Sequence, residues 1–169
     1  MDLSTSMRFV MVRAQAEASR CGTHIFPEHL LLAILKIAEL SAGEIAPTSR
    51  HKKETDRDIA ALRKKFQALQ VDSGAARGML RRMLRYDPPV GNGQVLTAEL
   101  LERAAERAKH DMLYPSDVLL VMTAVPTPAM QAVFNLQARA ADNPLAETGL
   151  CFLSSLTRRI RDMRYMRIK

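Results

Sequence analysis

Apolar residues recur every three or four positions over residues 4–20, at Met7, Val10, Met11, Ala14 and Ala18, which predicts an amphipathic helix. Gly22 follows as a helix-ending glycine. Pro27 then opens a second helix at the position where a missing N–H costs nothing, and Glu28 in its first turn complements the helix dipole. Leu30, Leu31, Leu32, Ile34, Leu35 and Ile37 make this helix apolar nearly all round, so it is predicted at the centre of the core. Residues 41–53 are polar, contain Gly43 and Pro47, and read as a loop. A third helix is expected over 54–70, with Ile59, Leu62, Phe66 and Leu69 at helical spacing, and a fourth over 73–85, with Ala76, Leu80, Met83 and Leu84 inward. Residues 87–93 carry Pro88, Pro89, Gly91 and Gly93 and read as a linker. No strand is predicted; 90–96 is too short and too glycine-rich.

The second half repeats the order. Thr97 is expected to cap a helix over 98–111, with Leu100, Leu101, Ala104 and Ala108 inward. Pro115 opens an apolar helix through Val118, Leu119, Leu120, Val121 and Met122, and Thr127-Pro128 caps another through Met130, Val133, Phe134 and Leu136. Pro27-Glu28-His29-Leu30-Leu31-Leu32 lies over Pro115-Ser116-Asp117-Val118-Leu119-Leu120. Repetition of a unit that cannot bury its apolar face alone implies that the halves pack together. The expected fold is all-α: two pseudo-symmetric helical repeats, about 3–86 and 95–140, packed as one compact bundle within 1–145. A C-terminal basic amphipathic helix over 146–169 is expected to follow.

Charge changes this picture at one place only. The net charge of +7 is concentrated in the C-terminal stretch, where Arg158, Arg159, Arg161, Arg164, Arg167 and Lys169 face one acid, Asp162. A basic isoelectric point is therefore no argument for a nucleic-acid-binding body. Leu153, Leu156, Ile160, Met163 and Met166 form an apolar stripe opposite these arginines, which suits a connector helix, a membrane-surface helix or a nucleic-acid arm. No run of 18 apolar residues and no charged-then-apolar leader order occurs, and Cys21 and Cys151 form no metal-type pair. The expectation is a cytoplasmic protein with free thiols.

Catalytic motifs are missing. There is no Gly-Lys step, hence no phosphate-cradling loop, and no G-x-S-x-G elbow or H-E-x-x-H helix. The chain is expected to turn over nothing and to need no cofactor. Cys21, His24 and His29 lie close in sequence, but they supply only three candidate ligands, at a spacing that matches no standard finger, and no metal is expected. Arg77, Arg81, Arg82 and Arg85 form a basic edge on the fourth helix, read as a solvated face whose functional version is a surface for an anionic partner.

The segments Ala14-Gln15-Ala16-Glu17-Ala18, Gly22 and Pro27-Glu28-His29-Leu30-Leu31-Leu32-Ala33-Ile34-Leu35 resemble the Clp N-terminal repeat. That family's unit has an Ala-rich helix with a Glu-Ala near its end, a glycine, and a Gly/Pro-x-Glu-His-Leu-Leu-Leu helix start. Leu69-Gln70-Val71-Asp72 is similar to the family's mid-domain Leu-Gly-Val-Asp turn, and Leu96-Thr97 to the Leu-Thr that opens its second repeat. The resemblance covers about residues 3–140. In the second repeat Ser116-Asp117 replaces Glu-His.

The resemblance implies a non-catalytic domain that receives unfolded protein segments or an adaptor for a Clp-like AAA+ unfoldase, in the same chain or in trans. As an isolated domain it is expected to be a monomer, because ring formation belongs to the ATPase. In some relatives each repeat binds phosphorylated arginine through the motif Glu and a Ser/Thr at the start of the first helix. By position these are Glu28 and Ser4, and in the second repeat Ser116 and Thr97. The plain alternatives are a dipole-stabilised first-turn acid for Glu28 and an N-cap for Ser4. Leu156-Thr157-Arg158 resembles the Leu-Thr linker to the ATPase, which favours the connector reading; neither nucleic acid nor membrane is the favoured partner. The rival function is a free-standing regulator acting through its basic C-terminal helix on nucleic acid or anionic membrane.

Overall fold

The structure is a computed structural model in which residues 2–108 and 111–134 are described. The expected C-terminal helix, the end of the second repeat and Cys151 lie outside the described residues.

The protein is built mainly of helices: α1 (Thr5–Arg20), α2 (Pro27–Glu39), α3 (Ala42–Ile45), α4 (Ser49–Ala68), α5 (Ser73–Tyr86), α6 (Gly93–Arg107), α7 (Pro115–Ala124) and α8 (Pro128–Phe134). Among the described residues no single helix is long and apolar enough to cross a membrane. α2 is the central helix, with Leu30, Leu31, Leu32, Ile34, Leu35 and Ile37 all buried, and α1, α4, α5, α6 and α7 pack around it. Its all-round apolar surface leaves no face for water, so neighbours must cover every side.

Helix ends follow from side-chain chemistry. Gly22 takes a positive φ of 66° and ends α1 in a Schellman turn, with Thr23 N–H donating to the Ala18 carbonyl and Gly22 N–H to the Ser19 carbonyl. α4 ends the same way, with Val71 N–H on the Phe66 carbonyl, but the left-handed residue is Gln70, at φ 54°. The guanidinium of Arg63 caps the C-terminal end of α2, donating to the Ala38 and Leu40 carbonyls at 2.8 and 3.0 Å. α8 turns away from α7 by 98°, starting at Thr127, whose hydroxyl accepts from Met130 N–H.

Several sequence expectations are corrected. Residues 41–53 are not a loop. Ser41 and Glu44 form a capping box, with Ser41 N–H on Glu44 Oε2 at 2.8 Å, and start the short α3. α4 begins at Ser49, not 54. Its first turn is exposed at 50–53, so no apolar periodicity announces it until Thr55 turns inward. Thr97 is not a cap: α6 starts at Gly93, capped by the Asn92 side chain, which accepts from Val95 N–H. Val95 and Leu96 in that first turn are exposed, which hides the start from a search for inward stripes.

There is also a short sheet. β1 (Asp2–Leu3) pairs in parallel with β2 (Met112–Leu113), and Ser4 N–H extends the ladder onto the Leu113 carbonyl at 3.1 Å. Two-residue strands carry no alternation to read. They fasten the start of α1 to the start of α7.

Candidate functional site

The four residues singled out from the sequence fall into two places. Ser4 is wholly buried: its Oγ accepts from Met7 N–H at 3.1 Å and sits 2.9 Å from the Ser6 hydroxyl. Ser6 in turn donates to Asp58 of α4. Ser116 is half-buried at the start of α7, and its carbonyl accepts from Lys65 Nζ at 2.7 Å. Ser4 thus sits with the Ser116 end of α7, not with Glu28. Thr97 lies instead at the entrance of α2: it is buried, and its hydroxyl donates to the Ile25 carbonyl at 2.9 Å, just ahead of the helix that carries Glu28. The structure therefore crosses the pairing expected from the sequence. The beginning of α1 meets the start of α7, and the beginning of α6 meets the start of α2.

Glu28 is 5% exposed, and its Oε2 is buried without a hydrogen-bond partner. It lines an open cavity of about 360 Å³ together with Phe26, Leu84, Pro89, Leu96 and Ala129. A second cavity of about 190 Å³ adjoins it, sharing Pro27, Leu96 and Thr127 and continuing past Leu100, Val121 and Met130, with Glu99 and Arg103 at its walls. Together they form an apolar groove from the 87–90 turn, over the α2 start, to the α7–α8 corner. Val90 and Val125 are strongly exposed along it, at 93% and 61%. Glu28 sets one acid in an otherwise largely apolar wall, which suits a cationic or N–H-rich group held among apolar contacts.

Gly93 makes this wall possible. A Cβ there would meet the Ile25 carbonyl and the Phe26 ring at 2.7 Å, so only glycine lets α6 approach the 25–26 segment this closely. The fit sets Leu96 beside Glu28. Gly93 is thus the first residue of α6 and not part of a linker.

His29 is buried and its Nδ1 accepts from Phe26 N–H at 3.0 Å. That bond closes the first turn of α2, leaving the proton on Nε2, which has no partner. Burial lowers its pKa below the usual imidazole value, partly opposed by Glu28 and Glu17. Asp117 Oδ2 takes the matching part at α7, accepting from Tyr114 N–H at 3.0 Å. Cys21 and His24 are exposed, and His24 lies 3.4 Å from Gln94. Among the described residues no group of three or more His, Cys, Asp or Glu side chains is arranged to hold a metal ion.

A separate buried polar cluster surrounds Asp58. Asp58 is 8% exposed, and burial, reinforced by Glu54 and Asp117, raises its pKa to about 6 against the pull of Ser6 and Ser4. A signal existed in the sequence: positions 55, 58, 62 and 66 lie on one helical face, and two of them are polar.

Compared with models of protein families, with curated proteins and with solved structures, the chain matches none of them.

Proposed function

We propose that this chain is a non-catalytic, monomeric, cytoplasmic binding domain that receives unfolded segments or an adaptor for a Clp-like ATP-dependent unfoldase. The observation that carries the reading is the open apolar groove at the start of α2, with the acid Glu28 in its lining. Apolar contacts along the groove supply most of the affinity, and Glu28 orients the segment by accepting from an arginine or lysine side chain. A phosphorylated arginine offers its guanidinium to Glu28 in the same way.

Two further features favour the double-repeat reading of residues 1–145. Each half has a helix opened by proline at Pro27 or Pro115, whose third residue, His29 or Asp117, accepts the N–H just ahead of the proline. Each half also starts its first helix against the proline-helix entrance of the other, through Ser4 N–H on Leu113 and Thr97 Oγ1 on Ile25. This reciprocal arrangement is what a pseudo-twofold axis generates. The second repeat lacks the acid, since Ser116 stands where Glu28 does, so one strong charged subsite is expected rather than two.

The test is equilibrium binding of a permanently unfolded, carboxymethylated protein to the purified chain. Saturable binding that weakens about tenfold or more in Leu96→Asp, a surface change on the groove wall, supports the reading. Absence of binding, or binding indifferent to Leu96→Asp, removes it.

A further inference from the structure

A second concave surface lies elsewhere on the molecule and shares no lining residue with the Glu28 groove. It is a cleft of about 250 Å³ between α1, α2 and α5, floored by the buried Leu32 and Ala33 and walled by Arg13, Glu17, Arg20, Lys36, Arg77 and Arg81. Two acids serve four of these cations. Glu17 Oε1 takes both Arg20 and Arg81, and Glu39 Oε2 takes both Lys36, at 3.3 Å, and Arg77, at 2.6 Å. Arg13 stacks its guanidinium 5.2 Å from the centre of the Phe9 ring. Five cations against two acids leave a surplus of three positive charges in one cleft.

The surplus is spread out, not focused. Arg13 and Arg20 are seven residues apart on α1, about 10 Å at the helical rise, and Arg77 and Arg81 are four apart on α5, about 6 Å. A single phosphoryl group is too small to reach cations along that length, whereas an extended peptide covers it with about three or four residues. Four of the five cations are already bridged by carboxylates, and guanidinium forks match carboxylate geometry. The half-buried Arg77, at 19% side-chain exposure, is held in place by Glu39, so part of the ordering cost is met before any partner arrives.

We propose that this cleft docks an acidic, Asp/Glu-rich segment of a partner protein. The partner's carboxylates lie between Arg13, Lys36 and the α5 arginines, and its backbone runs over Leu32 and Ala33. Arg82 and Arg85, exposed on α5, extend the positive field beyond the cleft and steer the segment toward it.

The test is fluorescence anisotropy of a labelled Asp/Glu-rich peptide with the full chain, beside a matched Asn/Gln peptide, inorganic phosphate as competitor and a single-stranded oligonucleotide. The acidic peptide is expected to bind, the amide peptide to fail, and the affinity to fall roughly tenfold between about 0.05 and 0.5 M salt. Arg13→Glu, at an exposed position that leaves the core untouched, and Lys36→Gln are each expected to weaken it about three- to tenfold. Lys52→Glu, on α4 outside the cleft, is expected to leave it unchanged. Absence of binding, equal loss with Lys52→Glu, or indifference to Arg13→Glu and Lys36→Gln overturns the proposal. So does an oligonucleotide that binds as tightly as the peptide, or phosphate that displaces the peptide at low concentration.

Discussion

The Ser6 hydroxyl donates to the carboxylate of Asp58, joining the first turn of α1 to the middle of α4 inside the protein. Ser4 continues the chain of contacts, while Glu54 and Asp117 add negative charge nearby. The cluster makes stability depend on pH in a direction unusual for an acid. Between pH 3.8 and about 6 the folded protein keeps a proton on Asp58 that the unfolded chain has lost. Its contribution is therefore full below pH 3.8 and disappears as the pH rises through about 6.

Asp58→Asn keeps the shape and removes the titration. The stability of wild type relative to this variant is expected to fall by up to roughly 3 kcal/mol between pH 4 and pH 7. Urea titrations of both proteins across that range check it. A difference that is flat with pH, or that grows toward neutrality, contradicts the account.

His29 gives the opposite slope. Its lowered pKa means that stability from its neutral form is present above pH 6.5 and lost as the pH falls through the folded value. His29→Asn retains a side chain able to accept from Phe26 N–H and should flatten the acid side of the profile. Parallel acid limbs in wild type and variant would count against a buried neutral imidazole.

Gln70 holds a left-handed conformation that glycine adopts without strain. Gln70→Gly is expected to stabilise the protein by about 0.5–1 kcal/mol, visible as a raised urea midpoint with an unchanged slope. Gly93→Ala has the opposite sign. Its methyl meets a backbone carbonyl that can move only with the α2 entrance, so a loss of about 1–3 kcal/mol is expected. A neutral Gly93→Ala would show that α6 does not need this close approach.

The helices carrying long inward stripes, α1, α2 and α5, were legible because burial imposes a 3.6-residue period on them. Prolines at Pro27 and Pro115 marked two starts to the residue, since only a first-turn position tolerates a missing N–H. The starts of α4 and α6 were not legible, because residues 50–53 and 94–96 are exposed and the buried Gly93 has no side chain to show in an apolar pattern. The site was legible in part. Glu28 stood out by its motif, but the Thr97 contact with Ile25, the Gly93 approach and the separation of Ser4 depend on how the two halves of the described chain cross. Local sequence does not encode that crossing: Thr97 and Ile25 are 72 residues apart. The cleft of Arg13, Lys36, Arg77 and Arg81 was visible only as the basic edge on α5, because α1 and α2 complete it.

The most direct test of the binding account is chemical-shift mapping by NMR. A peptide with one arginine flanked by leucines is titrated into the labelled protein and into Glu28→Gln. The account predicts shifts confined to Phe26–Glu28, the α6 start around Leu96 and the Thr127–Ala129 corner, with about tenfold weaker binding to Glu28→Gln and its fold intact. Shifts that cluster on another face, or equal affinity for the two proteins, would contradict it.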